Sequence, residues 1–155
     1  MSLVHRSDQL SVQAHFAAWE LFVGTRPGIR RWEQGEVLLE QYWDIWARKD
    51  AAFPWRFQLM WLNTKGEEWL FKRNEAIRGP LAELYHRSSE GIPYLRPEIQ
   101  LLYKLTSSSL RPKDQLDVEI VWPKLSSDAQ GWLRQQLQQH DLNQLSLLQS
   151  LIQAL

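Results

Sequence analysis

The chain has 155 residues, 23% of them charged and 44% hydrophobic, and its formal net charge is zero, as is ordinary for one globular domain with a buried core. A neutral chain has no overall field to draw it to nucleic acid or an anionic membrane, and the absence of cysteine excludes disulfides and cysteine–zinc sites. No signal-peptide pattern and no apolar run of ~20 residues occurs, so we expect a cytoplasmic protein with no nucleic-acid or membrane partner.

Short strands dominate the first half of the chain. Ser7 and Asp8 form an N-cap pattern, which predicts a helix over residues 8–20. Aromatic and branched residues then predict four strands, near 21–24, 42–47, 55–62 and 68–73. A shorter extended piece is expected over 29–32.

Helices dominate the second half. Pro80 predicts a helix over 80–87, and Pro97 begins another after the extended segment Pro93–Leu95. Further helices are expected from residues 112 and 127, and over 142–155. The predicted fold class is therefore α+β: a single domain over 1–155, strand-rich over 16–74 and helical over 80–155, with the helices packed on one face of a mixed sheet.

The last predicted helix carries a regular apolar stripe. Its members recur at spacings of three and four: Leu142, Leu145, Leu148, Leu151, Ile152 and Leu155. Such a stripe is typical either of the last helix of a core or of a helix that forms a homodimer.

Tryptophan is unusually abundant, with nine residues. Large aromatic side chains at this density indicate either a core of large residues or an aromatic-lined cleft. In the second case, Trp43, Trp46 and Trp61 would line a cleft that stacks a base or a sugar.

The common catalytic motifs are missing. The sequence contains no glycine-rich phosphate loop and no Gly-x-Ser-x-Gly motif. The four histidines, at positions 5, 15, 86 and 140, have no second ligand at metal-site spacing. Histidine or structural-metal chemistry is therefore not expected.

The stretch from Gly91 to Asp117 concentrates charge at two helix ends. Lys104 lies near the end of one predicted helix, and Arg111, Lys113 and Asp114 begin the next. Cations beside the free N–H groups of a helix N-terminus form a ready site for a phosphate chain. Alternatively, these charges pair locally on the surface with Asp114 and Asp117.

Residues 16–137 resemble the C-terminal portion of nucleotidyltransferase-fold proteins related to aminoglycoside 2''-adenylyltransferases. The segments that carry the resemblance are WELFV at 19–23, DIWAR at 44–48, FQLM at 57–60, EWLFKR at 68–73, GIPYL at 91–95, PEIQLLYK at 97–104 and RPKDQLD at 111–117. The resemblance implies a truncated nucleotidyltransferase-like mixed sheet. It also implies that Lys104, Arg111, Lys113 and Asp114 face a nucleoside triphosphate, with Mg²⁺ and ATP or another triphosphate as cofactors of an active enzyme.

The chain departs from that family in its metal-binding part. It has no Gly-Gly or Gly-Ser turn and no Asp-x-Asp pair, the elements that grip the phosphates and hold Mg²⁺. Gln58 occupies the strand that is expected to carry the third carboxylate. Asp44 is then the acidic residue on a strand for which we predict a catalytic role.

Three functions remain open from the sequence. The first is a nucleotidyltransferase-like protein that is non-catalytic alone and keeps a phosphate-binding group of cations. The second is active adenylyl transfer to an aminoglycoside-like hydroxyl acceptor, with Asp44 contributing. The third is a homodimeric interaction module without a ligand, joined through the C-terminal helix or an exposed sheet edge.

Overall fold

The computed structural model describes residues 2–25, 27–107 and 109–153. The chain divides into two compact units, Met1–Gly66 and Glu67–Leu155, each described separately below. The chain contains a largely antiparallel sheet and C-terminal helices, which confirms the mixed α+β class. The single-domain assignment stays a prediction.

The first unit contains a five-stranded sheet and one helix. Its elements are β1 Ser2–His5, a 3-10 turn Arg6–Asp8, α1 Gln9–His15, β2 Glu20–Thr25, β3 Gly28–Arg31, β4 Asp44–Arg48 and β5 Phe57–Lys65. Strands run in the order β3-β2-β4-β5-β1, antiparallel except for β1, which is parallel to β5. The strands predicted near 21–24, 42–47 and 55–62 are confirmed with shifted ends, and β1 was not predicted.

Alternation along the strands places the core of this unit on one sheet face. Leu21 and Val23 of β2 and Ile45 and Ala47 of β4 are buried, whereas the residues between them are partly exposed. Trp61 joins this core with its ring edge-on to Trp32, at 5.8 Å between ring centroids. This period-two burial is what a sheet with one covered face requires.

Two predictions for this unit are corrected. The first helix ends at His15, because Phe16 leaves helical geometry and packs its ring against Phe57 at 4.9 Å. The aromatic cleft is also wrong in part, since Trp61 is 1% exposed and belongs to the core. Trp46 is different: it lies opposite Phe22 on the partly exposed side of the sheet.

The second unit holds two small strand pairs and four helices. Its elements are β6 Glu68–Leu70, β7 Arg78–Pro80, a 3-10 turn Leu81–Glu83, β8 Tyr85–Arg87, β9 Pro93–Leu95, α2 Pro97–Leu105, α3 Pro112–Val121, a 3-10 turn Trp122–Lys124, α4 Ser127–His140 and α5 Leu142–Gln153. β6 pairs with β7 and β8 with β9, both antiparallel. The helices from 97, 112 and 127 and the extended 93–95 are confirmed.

The helix predicted over 80–87 is wrong. Only the turn Leu81–Glu83 is helical, and Tyr85–Arg87 is a strand because it pairs with β9 across a loop closed by a hydrogen bond from Ser88 N to Ile92 O. Gly91 completes that loop with φ of +78°, a conformation that favours glycine. The strand predicted over 68–73 is shorter than expected, since it ends at Leu70.

The helices of the second unit surround α2. Ile99, Leu101, Leu102 and Leu105 are each at most 1% exposed, so α2 is the buried helix of this unit. On α5, Leu148 is fully buried, which assigns that position of the apolar stripe to the core. The side chains of Leu142, Leu145 and Ile152, and all of Leu155, lie outside what the structure describes, so the homodimer stays a prediction.

Candidate functional site

The ends of α2 and α3 bring charged side chains together as the sequence predicted. Lys104, in the last turn of α2, extends its ammonium to Asp114 Oδ1 at 2.7 Å and to Asp117 Oδ2 at 2.6 Å. Both carboxylates belong to α3, one turn apart, so both face the end of α2. We call Lys104, Arg111, Lys113, Asp114 and Asp117 the α3 corner.

Asp114 is the centre of the α3 corner. Its side chain is 1% exposed, and its carboxylate accepts hydrogen bonds from Arg111 Nε at 2.6 Å and Arg111 Nη2 at 3.0 Å. It also accepts from the Arg111 backbone N–H at 3.4 Å, which caps the first turn of α3. A buried carboxylate is stable only when its oxygens are paired in this way.

The charges of the α3 corner stabilise one another. Hydrogen bonds from Arg111, opposed by burial and reinforced by Lys104, hold the pKa of Asp114 well below its usual range. Burial acts against the charged form of Lys104, but hydrogen bonds to Asp114 and Asp117 outweigh it and raise its pKa. The bond to Asp114 likewise raises the pKa of Arg111.

Two cations of the α3 corner face solvent. The Arg111 side chain is 58% exposed, and its Nη1 has no hydrogen-bond partner among the described residues. Lys113 is exposed and, within the described part of the chain, forms no ion pair. Lys104 is different, because its ammonium is held by two carboxylates. The local pairing that the sequence left open is therefore what the structure shows for Lys104 and Asp114.

Asp44 lies in the first unit, at the first position of β4. It is partly buried, and its Oδ1 accepts a hydrogen bond from Gln58 Nε2 of β5 at 3.1 Å. Glu20, on the neighbouring strand, is bound to Arg48 at 2.8 Å. Asp44 thus has an amide as its hydrogen-bonded neighbour rather than a second carboxylate.

The hydrogen-bonded neighbour of Asp44, Gln58, differs from the second carboxylate that a pair of Mg²⁺ ions in an active nucleotidyltransferase would need. Across the described residues, no three His, Asp or Glu side chains lie close enough together to hold a metal ion. Two-metal transfer needs several carboxylates around the ions.

The sequence did not predict that Arg73 supports the end of α2. Arg73 Nη1 donates to Tyr103 O and to Thr106 Oγ1, both at 2.6 Å, at the end of α2 beside Lys104. These bonds satisfy a carbonyl that the helix end leaves open. No sequence signal marked this role, because 30 positions separate Arg73 from Tyr103.

No protein-family model matches the chain, and no curated protein or solved structure is significantly similar to it. The resemblance to nucleotidyltransferases therefore remains a prediction. No helix of the described residues has the length and apolar character needed to cross a membrane.

Proposed function

We propose that the chain is a nucleotidyltransferase-like protein that binds the phosphate chain of a nucleoside triphosphate at the α3 corner and does not catalyse transfer alone. One observation carries the proposal: Asp114 holds Arg111 through Nε and Nη2 at the N-terminus of α3, and Nη1 has no hydrogen-bond partner among the described residues. A guanidinium oriented in this way, at the positive end of the α3 dipole, suits a phosphate oxygen.

The residues of the α3 corner then have distinct roles. Arg111 and Lys113 would contact phosphate, because they are the exposed cations. Lys104 and Asp114 would position Arg111, since Lys104 neutralises the carboxylate that holds it. With three cations and two carboxylates, the α3 corner keeps one net positive charge, which favours an anion.

The non-catalytic part of the proposal rests on Asp44. Its hydrogen-bonded neighbour is Gln58, and an amide cannot supply the negative charge that a second metal ligand would. No group of described residues favours the alternative of active adenylyl transfer, which would need carboxylates beyond Asp44.

Isothermal calorimetry tests the phosphate site with two titrants, ATP with Mg²⁺ and inorganic tripolyphosphate. We expect Arg111→Ala and Lys113→Ala each to weaken binding of both titrants about ten- to a hundredfold, because each removes a charge-assisted contact of about 1.5–3 kcal/mol. Lys49→Ala, which removes an exposed lysine of the first unit, is the matched control and should leave binding unchanged.

Two outcomes would contradict the proposal. One is the absence of binding of both titrants to the unaltered protein. The other is an equal loss of affinity in the Lys49→Ala control, which would mean that the anionic titrants are attracted to any surface cation. Arg111→Lys adds a finer comparison, since it keeps the charge but loses the paired hydrogen bonds to Asp114 and should recover only part of the affinity.

A further inference from the structure

A second concave site lies within the second unit, away from the charges just described. It is a cleft of about 640 Å³ between the β8–β9 hairpin, the start of α2 and the start of α4. Sites for small molecules commonly have volumes of 300–1,000 Å³. Six residues that line it carry the inference: His86, Tyr94, Arg96, Glu98, Lys124 and Trp132.

Glu98 is the unusual residue of this cleft. It is 2% exposed, yet it is a charged side chain that lines an open volume. Arg96 donates to it through Nε at 2.7 Å and Nη2 at 2.5 Å, and both bonds reach the same oxygen, Oε1. Among the described residues nothing donates to Oε2. Oε2 is not among the fully buried unpaired side-chain atoms of the described residues, so this oxygen is open to the cleft and can accept an N–H or O–H group of a ligand.

Aromatic side chains surround this acceptor. On the hairpin, His86 and Tyr94 lie 5.9 Å apart, centroid to centroid, and Tyr94 is 45% exposed. On α4, the partly buried Trp132 ring is held in place by Trp69, with 6.3 Å between ring centroids. Exposed rings in fixed positions favour a flat ligand that can stack on them.

The charges of the cleft argue against a strongly charged ligand. The lining contains two basic residues, Arg96 and Lys124, and two acidic residues, Glu98 and Asp128, so its formal charge is zero. Among the described residues, two polar groups of the lining can then serve a neutral ligand: Glu98 Oε2 as an acceptor and the ammonium of the exposed Lys124 as a donor.

We propose that this cleft binds an adenine-like purine, stacked on Tyr94 or Trp132 and donating its exocyclic N–H to Glu98 Oε2. A purine offers the flat surface for the rings, an N–H for Glu98 and ring nitrogens that accept from Lys124. The inference goes beyond the phosphate site and does not depend on it, because it concerns an uncharged base bound by other residues of the same unit.

The probe is therefore adenosine, which carries no phosphate. Calorimetry should detect binding to the unaltered protein, and Tyr94→Ala should weaken it at least tenfold, whereas Tyr94→Phe should retain it because the ring remains. Phe53→Ala is the matched control: it removes another exposed aromatic side chain, 41% exposed and in the first unit, and should have no effect.

A second comparison isolates the hydrogen bond to Glu98. N6,N6-dimethyladenosine has no exocyclic N–H, so we expect it to bind about tenfold more weakly than adenosine. Glu98→Gln should weaken adenosine binding by a similar factor and leave binding of the dimethyl analogue unchanged, since that analogue cannot donate a hydrogen bond to Glu98. Circular-dichroism melting of Glu98→Gln checks that the lost bond to Arg96 has not unfolded the unit.

Absence of adenosine binding to the folded protein would overturn the inference, as would equal binding of the two adenosines. The phosphate proposal is judged separately by tripolyphosphate, which lacks a base. Either proposal can therefore be contradicted without affecting the other.

Discussion

At the scale of single residues, Asp114 shows how a buried charge is tolerated. Its carboxylate forms ion pairs with Arg111 and Lys104. Lys104 forms a second ion pair, with Asp117. Removing one partner of a buried pair leaves an uncompensated charge, which typically costs 3–5 kcal/mol. Asp114 therefore matters for stability whether or not a ligand binds.

The lowered pKa of Asp114 predicts a pH dependence of stability. A carboxyl group with a lower pKa in the folded than in the unfolded chain contributes stability that is fully present above the unfolded value of about 4. That contribution is lost as the pH falls through the folded value. We expect Asp114→Asn to lower the free energy of unfolding at pH 7 by about 3 kcal/mol.

Urea denaturation at pH 7, 5, 4 and 3 measures this effect. The unaltered protein should lose stability steeply below pH 5, and Asp114→Asn should lose less over the same interval. Glu119→Gln, an exposed acid on the same helix, is the control and should follow the unaltered protein. Parallel pH profiles for Asp114→Asn and the unaltered protein would show that Asp114 is not the group responsible.

At the scale of elements, two buried glutamines of α1 bind the loop between β3 and β4. Gln9 Oε1 accepts from Leu38 N at 2.6 Å, and Gln13 Oε1 accepts from Gly35 N at 2.8 Å. Gln13 also donates to Glu33 O at 2.8 Å. These side chains replace the regular backbone partners that an irregular loop lacks.

Gln13→Ala should therefore destabilise the first unit. It removes two part-buried hydrogen bonds, from Gly35 N–H and to the Glu33 carbonyl, and each such bond typically contributes about 0.5–1.5 kcal/mol. Ser11→Ala, at an exposed position of the same short helix, is the control. The free energy of unfolding measured by chemical denaturation should be clearly lower for Gln13→Ala than for Ser11→Ala. Equal values would contradict this role of Gln13.

The start of α4 allows a matched test of helix capping. Ser126 Oγ accepts the Ala129 N–H at 3.2 Å, whereas the adjacent Ser127 has no such bond among the described residues. We expect Ser126→Ala to cost about 1 kcal/mol and Ser127→Ala only a few tenths. Thermal melting of the two variants compares them directly; a larger loss for Ser127→Ala would refute the assignment of the cap.

At the scale of the whole molecule, the zero net charge near pH 7 has a colloidal consequence. Molecules without net charge repel each other weakly, so association is favoured there. We expect light-scattering intensity to be highest near pH 7 and to fall at pH 9. Association that reverses in this way is non-specific, whereas the predicted homodimer would keep twice the chain mass at both pH values.

Elements with strong local signals could be predicted from the sequence. Pro97 and Pro112 begin helices, because proline suits the first helical turn, and Ser126 caps the next helix with its own side chain. Residues 85–87 could not be predicted, because their strand depends on pairing with residues 93–95. β1 was missed for the same reason, since its partner is β5.

By itself, the sequence determined the mixed α+β class and the helices that start at proline or serine, because these follow from local conformational preferences. Only the tertiary structure decided that Lys104 meets Arg111 and Asp114, that two carboxylates hold its ammonium, and that Arg111 Nη1 has no partner among the described residues. It also decided that Trp61 is core and that Glu98 is buried at the edge of a cleft. Burial and hydrogen-bond partners depend on residues far apart in the chain, and a single sequence does not record which of them meet.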